Sequence, residues 1–342
     1  MNFDNLKRIL KEMEEPGFRF RQIRDAFAKQ GCAEYSEIGN IPKKLASELE
    51  AKVPALSFSL EKIVSSRDGF SHKALFLLSD GNMIESVLLS SSENEWSACV
   101  SSQAGCPLAC RFCATGQSGF KRNLTEEEIT DQIVFWKNFL KTGKAAGVFS
   151  HIVFMGMGEP FLNWLEVKKA LHRIISPDFF AFGSRRVSVS TSGIADGIKD
   201  LAREFPQVNL ALSLVFPDNK MRSEFMPVNK RFNLGALARA LDYYIAKTNR
   251  KVFLEYVLLA GINDQTRQAA QVADFVNSIE NGAKLLHVNL INYNGSAEGF
   301  SAPDSLMQKK FLKALQEKRI SATIRKSLGN EIGGACGQLG GN

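Results

Sequence analysis

From residue 99 to residue 326, short β-branched runs alternate with amphipathic stretches, and that alternation leaves few architectures open. Strands are predicted at Cys99–Gln103, His151–Met155, Val187–Thr191, Val208–Phe216, Val252–Leu259, Leu286–Asn292 and Ala322–Lys326. Helical periodicity fills the gaps, as in Thr125–Leu140, Trp164–Ile175, Leu234–Lys247 and Thr266–Ser278. Strands and helices in strict alternation build a parallel sheet with right-handed crossovers. About six such units are too few to close an eight-stranded barrel. The expected fold is therefore α/β, a partial (βα)6 barrel. Chemistry in such folds collects at the carboxyl ends of the strands.

Two smaller pieces precede the barrel. Residues 1–56 read as short helices: Leu6, Leu10 and Met13 recur at helical spacing, and Pro16-Gly17 breaks the chain. Arg21–Lys29 and Lys43–Val53 are helical again, and together they suggest a small, basic, helical accessory domain. Residues 57–91 change period. Asp80-Gly81 signals a hairpin turn between two strand-like runs, the second of which carries Glu85. Residues 92–331 form the core barrel, and residues 332–342 a carboxyl-terminal segment carrying Cys336.

Just after the first barrel strand come Cys106, Cys110 and Cys113, spaced C-x3-C-x2-C. Three thiolates suit a cubic iron–sulfur cluster with one iron left open for a substrate, whereas four-cysteine sites close the cluster. Structural zinc, with Cys99 or a histidine as fourth ligand, is the bland alternative. It usually needs paired C-x2-C units, and His72, His151, His172 and His287 show no matching spacing. A zinc-stabilised RNA-binding protein without catalysis is the reading that follows from it.

The net charge of +7 and a pI near 9.0 favour a polyanionic partner, nucleic acid being the commonest. No apolar run is long enough to span a bilayer, and the start of the chain lacks a secretory pattern. A cytoplasmic protein without membrane contact is expected, and its six cysteines should stay reduced unless chemistry uses them.

Other residues stand where a ligand would be met. Gly156-Met157-Gly158-Glu159-Pro160 follows a strand, and glycines there let backbone approach a ligand while a carboxylate could take an ammonium group. Ser190, Ser213 and Asn294 stand at or just past strand ends, where small polar groups either bind ligands or cap helices. Cys336 lies in a glycine-rich segment, as a movable nucleophile or carrier thiol would, or as a spectator in a loose tail. Cys99 could pair with it or serve as a small core residue. Cys32 reads as structural.

Taken together, Cys99-Val-Ser-Ser-Gln-Ala-Gly-Cys106, Phe112-Cys-Ala-Thr-Gly116, Met155-Gly-Met-Gly-Glu159, Ser190-Thr-Ser-Gly193, Met226-Pro-Val-Asn229 and Ala335-Cys-Gly-Gln-Leu339 resemble the RlmN/Cfr family across essentially the whole chain. These are radical S-adenosylmethionine (SAM) enzymes that methylate adenine in RNA. The resemblance implies a radical SAM barrel with a [4Fe–4S] cluster on Cys106, Cys110 and Cys113. It implies two SAM per turnover, one methylating Cys336 and one cleaved to a 5′-deoxyadenosyl radical that activates that methyl group. Glu85 corresponds to the proton acceptor, and Cys99 to the thiol that releases product through a transient disulfide. Gly158, Glu159, Ser190, Ser213, Leu214, Val215 and Asn294 match SAM-contacting positions. Implied partners are 23S rRNA, tRNA and an electron donor such as flavodoxin or ferredoxin, with the protein a monomer.

A tethered methyl radical suits the chemistry, because C2 of adenine is electron-poor and cannot attack SAM directly. Some positions depart from the family pattern. Val215 replaces the usual His, Asn292 a frequent Pro, and Gly333-Gly334 an Asp-Ala pair. RlmN-type members methylate C2 of one 23S adenine and of the adenine 3′ of the anticodon in some tRNAs. Cfr-type members methylate C8 of the same rRNA adenine and confer antibiotic resistance. Gly158-Glu159-Pro160 with Asn163 favours C2; His287 to Ile291 followed by Tyr293-Asn294 leans towards C8.

Overall fold

A computed structural model describes residues 1–92, 95–295 and 297–340. Its strands are β1 (Phe58–Ser65), β2 (Ser71–Leu78), β3 (Met83–Ser92), β4 (Glu95–Cys99), β5 (Gln103–Gly105), β6 (Phe120–Asn123), β7 (Val148–Phe154), β8 (Val187–Thr191), β9 (Asn209–Ser213), β10 (Val252–Leu258), β11 (Leu286–Asn292) and β12 (Ala322–Ile324). The helices are α1 (Phe3–Glu12), α2 (Phe18–Ala28), α3 (Lys43–Lys52), α4 (Ala114–Gln117), α5 (Glu126–Lys141), α6 (Trp164–Ile175), α7 (Ala195–Glu204), α8 (Asn219–Phe225), α9 (Leu234–Thr248), α10 (Thr266–Asn277), α11 (Gly282–Leu285) and α12 (Ser305–Glu317).

One ten-stranded sheet runs β1-β2-β3-β4-β7-β8-β9-β10-β11-β12. From β4 to β12 every neighbouring pair is parallel. From β1 to β4 the pairs are antiparallel. The sheet is therefore a (βα)6 partial barrel extended at one edge by a three-strand meander. Among the described residues β12 pairs with β11 alone, so the barrel is open.

The barrel strands are two-faced. In β10, Val252, Leu254, Tyr256 and Leu258 are buried while Phe253, Glu255 and Val257 are half-buried. The register carries the second face across the sheet, with Ser213 opposite Glu255, Glu255 opposite Asn289 and Asn289 opposite Thr323. Parallel sheets covered on both faces normally read as continuous apolar runs. The polar row is the departure that marks the concave side as a ligand chamber.

The strand predicted to begin at Cys99 instead ends there. The backbone of Ser101 is satisfied by a side chain: Gln132 accepts from its N–H at 2.8 Å and donates to its carbonyl at 3.0 Å. Gln132 belongs to α5, whose start is set by a reciprocal capping box between Thr125 and Glu128.

Helices α1 and α2 and the turn after α2 pack against α5 and the turn after α6. Phe3 meets Phe20 and Phe179 edge-on, Lys137 donates to the Ala28 carbonyl at 2.7 Å, and Asn138 donates to the Gly31 carbonyl at 3.1 Å. The expected basic character of residues 1–56 does not hold. They carry ten Lys and Arg against nine Asp and Glu, and Arg8, Arg19, Arg24, Lys29 and Lys44 are all ion-paired within their own helices or turns. Among the described residues no helix is long and apolar enough to cross a membrane.

Candidate active site

Cys106, Cys110 and Cys113 line the loop between β5 and α4, at the carboxyl end of the first barrel strand. The loop is pinned by Cys106 N–H to the Gly119 carbonyl (3.1 Å), Cys113 N–H to the Cys110 carbonyl (3.1 Å) and Arg111 N–H to the Phe225 carbonyl (3.0 Å). Gly116 presses on the Cys110 backbone so closely that a Cβ there would lie 2.9 Å from the Cys110 nitrogen. Burial pushes the Cys106 thiol up to about 12 and raises Cys110 further, with the neighbouring cysteines adding to the effect. Such thiols ionise only against a strong positive centre. Three thiols on one loop, spaced C-x3-C-x2-C with no fourth cysteine in the run, are the donor set of a cubic iron–sulfur cluster with one iron left open.

The strand ends beside this loop hold the other predicted residues. Glu159 is 2 % exposed, and its two oxygens accept from Phe161 N–H (3.2 Å) and Ser192 N–H (2.7 Å). Burial raises its carboxyl to about 7, and an arriving ammonium group would offset that cost. Gly158 has φ +99°, and a Cβ would lie 2.5 Å from the Gln103 Cβ; Gln103 in turn accepts from Glu159 N–H at 2.8 Å. The glycine thus serves packing as much as ligand approach. Ser190 and Ser213 are half-buried on the polar face. Leu214 and Val215 are fully buried. Val215 adopts φ +51°, with its carbonyl accepting from Asn263 (2.9 Å). A side chain at 215 therefore offers no surface to a ligand, and Val in place of His alters the turn and its packing. Asn294 donates to the Asn292 carbonyl (2.8 Å) and accepts at its own carbonyl from Gln338 (2.6 Å).

Through Gln338 the carboxyl-terminal segment closes over the chamber. Ala114 N–H donates to the Gly337 carbonyl (2.9 Å), and the Thr115 hydroxyl to the Leu339 carbonyl (2.6 Å). Ala335 and Leu339 are buried, so the tail is seated. Cys336 has open surface, yet burial is the main cause of its rise to about 11, followed by Glu255 and Cys113. The thiol is thus reachable from outside yet flanked by protein on the side of Glu255 and Cys113. Cys99 ends β4 between Val87 and Val153, and its thiol is raised first by burial and then by Cys336. Cys336 thus lies within reach of the charges of both Cys99 and Cys113. All six cysteines are free, so the transient Cys99–Cys336 disulfide is not formed here. Glu85, on β3, is buried and ion-paired with Lys73 at 2.9 Å.

Three residues at this site were not singled out from the sequence. Arg222 is fully buried and donates to the carbonyls of Ser192 (2.6 Å), Ser213 (3.1 Å) and Leu214 (3.3 Å) and to Asn229 (3.3 Å). It lashes two strand ends together beside Cys110; burial lowers it to about 10, so it stays charged at neutral pH. Its signal was its place ahead of Met226-Pro-Val-Asn229, the segment that folds back onto it. Glu255, held by Asn289 at 2.9 Å, and Lys73 look like ordinary strand residues until the sheet is assembled.

An open barrel with a three-cysteine loop at its mouth defines a radical SAM enzyme. The Radical SAM superfamily matches residues 100–273. Over 338 residues the chain is 38% identical to the ribosomal RNA large subunit methyltransferase Cfr of Clostridium botulinum strain Hall, covering 98% of this chain and 96% of that protein. Over 347 residues it is 40% identical to a probable dual-specificity RNA methyltransferase RlmN of Chloroflexus aurantiacus, covering 99% and 91%. A radical SAM methyltransferase from Sphaerobacter thermophilus superposes with a TM-score of 0.91 at 36% identity, covering 100% of this chain and 98% of that one. The chain belongs to the RlmN/Cfr family of radical SAM methyltransferases.

Proposed function

We propose that the protein methylates C2 of an adenine in the peptidyl-transferase centre of 23S rRNA, and of the adenine 3′ of the anticodon in some tRNAs. The observation that carries this reading is the seating of the tail, which sets the Cys336 thiol in electrostatic reach of Cys113 and Cys99. A carrier thiol placed there can receive a methyl group at the cluster side and present it to a base.

Cys106, Cys110 and Cys113 would hold a [4Fe–4S] cluster, which with SAM supplies the methyl group and the radical chemistry, two SAM per turnover. Glu159 would take the ammonium of SAM, with Gly158, Ser190, Ser213, the Leu214–Val215 turn and Asn294 shaping the rest of its site. Cys336 carries the methyl group. Glu85 accepts the proton lost from the base, and Cys99 attacks the sulfur of Cys336, so that a transient Cys99–Cys336 disulfide forms as the carbon–sulfur bond to the product breaks. Residues 1–56 and the basic rim of the barrel select RNA, the segment 57–91 supplies Glu85, residues 92–331 hold cluster and SAM, and residues 332–342 deliver the methyl group. The protein works as a cytoplasmic monomer fed by flavodoxin or ferredoxin.

Anaerobic incubation of reconstituted enzyme with SAM, reductant and rRNA or tRNA, followed by mass spectrometry of nucleosides, is expected to give 2-methyladenosine. Exclusive 8-methyladenosine would overturn the C2 assignment. Absence of any methylated adenosine would overturn the function.

A further inference from the structure

The deepest ion pair in the antiparallel meander involves a lysine to which the proposed function gives no task. Lys73 lies opposite Val87 and Leu75 opposite Glu85, so Lys73 and Glu85 are diagonal neighbours on one face of the β2–β3 pair. The Lys73 ammonium sits 2.9 Å from Glu85 Oε1, and the two side chains are 7 % and 5 % exposed. Glu85 Oε2 accepts from Gly340 N–H at 2.7 Å. A Cβ on Gly333 would lie 3.2 Å from the Lys73 nitrogen. Both ends of the segment carrying Cys336 therefore rest on this pair, Gly333 against the ammonium and Gly340 on the carboxylate.

A buried lysine–glutamate pair is a poor device for stability, because desolvating both charges consumes most of their attraction. The geometry explains it in another way. With Oε1 fixed on Lys73, Oε2 is the oxygen left for an incoming partner, and the seated tail covers it. Lifting Gly340 exposes Oε2 while Lys73 keeps the carboxylate aimed. We propose that Lys73 is a positioning residue for Glu85, and that it ties the place of the carrier segment to the availability of that carboxylate. The inference rests on the assignment of Glu85 as proton acceptor in the proposed function.

The test uses the full-length reconstituted enzyme as wild type, Lys73→Met, Lys73→Arg, Glu85→Gln and the Lys73→Met/Glu85→Gln double variant. Four readouts are taken: thermal melting, RNA affinity, the methyl group on Cys336 by intact mass, and methylated adenosine. Lys73→Met is expected to keep RNA affinity and the Cys336 methyl group while losing about 10- to 100-fold in methylated adenosine. Adding it to Glu85→Gln should cost less than about twofold more, because the two residues act as one unit. Lys73→Arg should recover part of the loss. Full turnover by Lys73→Met, or losses that multiply in the double variant, would overturn the proposal. If Lys73→Met does not fold, Gly333→Asp replaces it, since an aspartate there competes for Lys73 without removing it and a left-handed φ of +63° suits Asp better than most residues. Full turnover by Gly333→Asp would then overturn the proposal. Failure of the wild type to methylate adenosine would sink the function itself, and a normal wild type with unaffected variants would sink Lys73 alone.

Discussion

At the scale of single residues, the site is built from groups whose ordinary ionisation is displaced. Glu159 shows the consequence most directly. Its carboxyl moves from an ordinary 4.5 to about 7 through burial, against the pull of the Ser192 and Phe161 N–H groups. A carboxyl raised on folding gives a stabilising contribution that is complete below about pH 4.5 and is lost as pH rises through 7. Glu159→Gln lacks that dependence. Denaturant unfolding of the metal-free, reduced protein should therefore show the variant gaining on wild type between pH 5 and pH 8. An unchanged difference across that interval would show that the carboxyl is not held as described. The cysteine loop, Glu159 and Cys336 stood out through spacing and neighbours, whereas Glu85 was picked out only by the family resemblance. Arg222 and Lys73 did not stand out, since a buried cation is recognisable only once the carbonyls and carboxylate it serves have been brought to it from elsewhere in the chain.

Among elements, close packing governs where the sequence suggested ligand contact. Gly158 is confined by Gln103 on β5 as well as by its φ of +99°. Gly158→Ala should cost about 1–3 kcal/mol for the backbone and a similar amount for the overlap. Gly183→Ala, with ordinary φ and no neighbour within 4 Å, should stay within about 0.5 kcal/mol of wild type. Denaturation midpoints of both variants check the contrast. The strands β7 to β10 and helices α6, α9 and α10 were readable from periodicity because each has an apolar face; α7 and α8 were not singled out, and the strand predicted over Val208–Phe216 stops at Ser213, ahead of the turn in which Val215 takes φ +51°. The strand at Cys99 was misplaced because an apolar run says nothing about which partner takes its backbone; Gln132, thirty-one residues on from Ser101, takes it. Leu6, Ile23, Phe27, Leu45 and Leu49 join the same apolar core as α5, so excising these helices would bare the face they cover.

Over the whole molecule, the excess positive charge lies where composition could not place it. Residues 300–342 hold seven Lys and Arg against three Asp and Glu. Arg325 and Lys326 are exposed directly beyond β12, at the rim from which the carrier segment departs, and Arg325 is close enough to lower the Cys336 thiol. A double Arg325→Ala/Lys326→Ala variant should bind RNA with a shallower dependence of log affinity on log salt, by about 0.7–0.9 for each phosphate no longer neutralised. Filter binding across a salt series checks it. If the slope changes instead with Lys7→Ala/Lys11→Ala in α1, the helices and not the rim grip the phosphates.

The two-faced strands have one more consequence. Because the greasy packing lies between sheet and helices, while Ser213, Glu255, Asn289 and Thr323 line the hollow, water can fill that hollow when nothing else does. A molecule entering the hollow must therefore trade water's hydrogen bonds for those of these polar side chains, so the fit of its donors and acceptors matters there more than its grease.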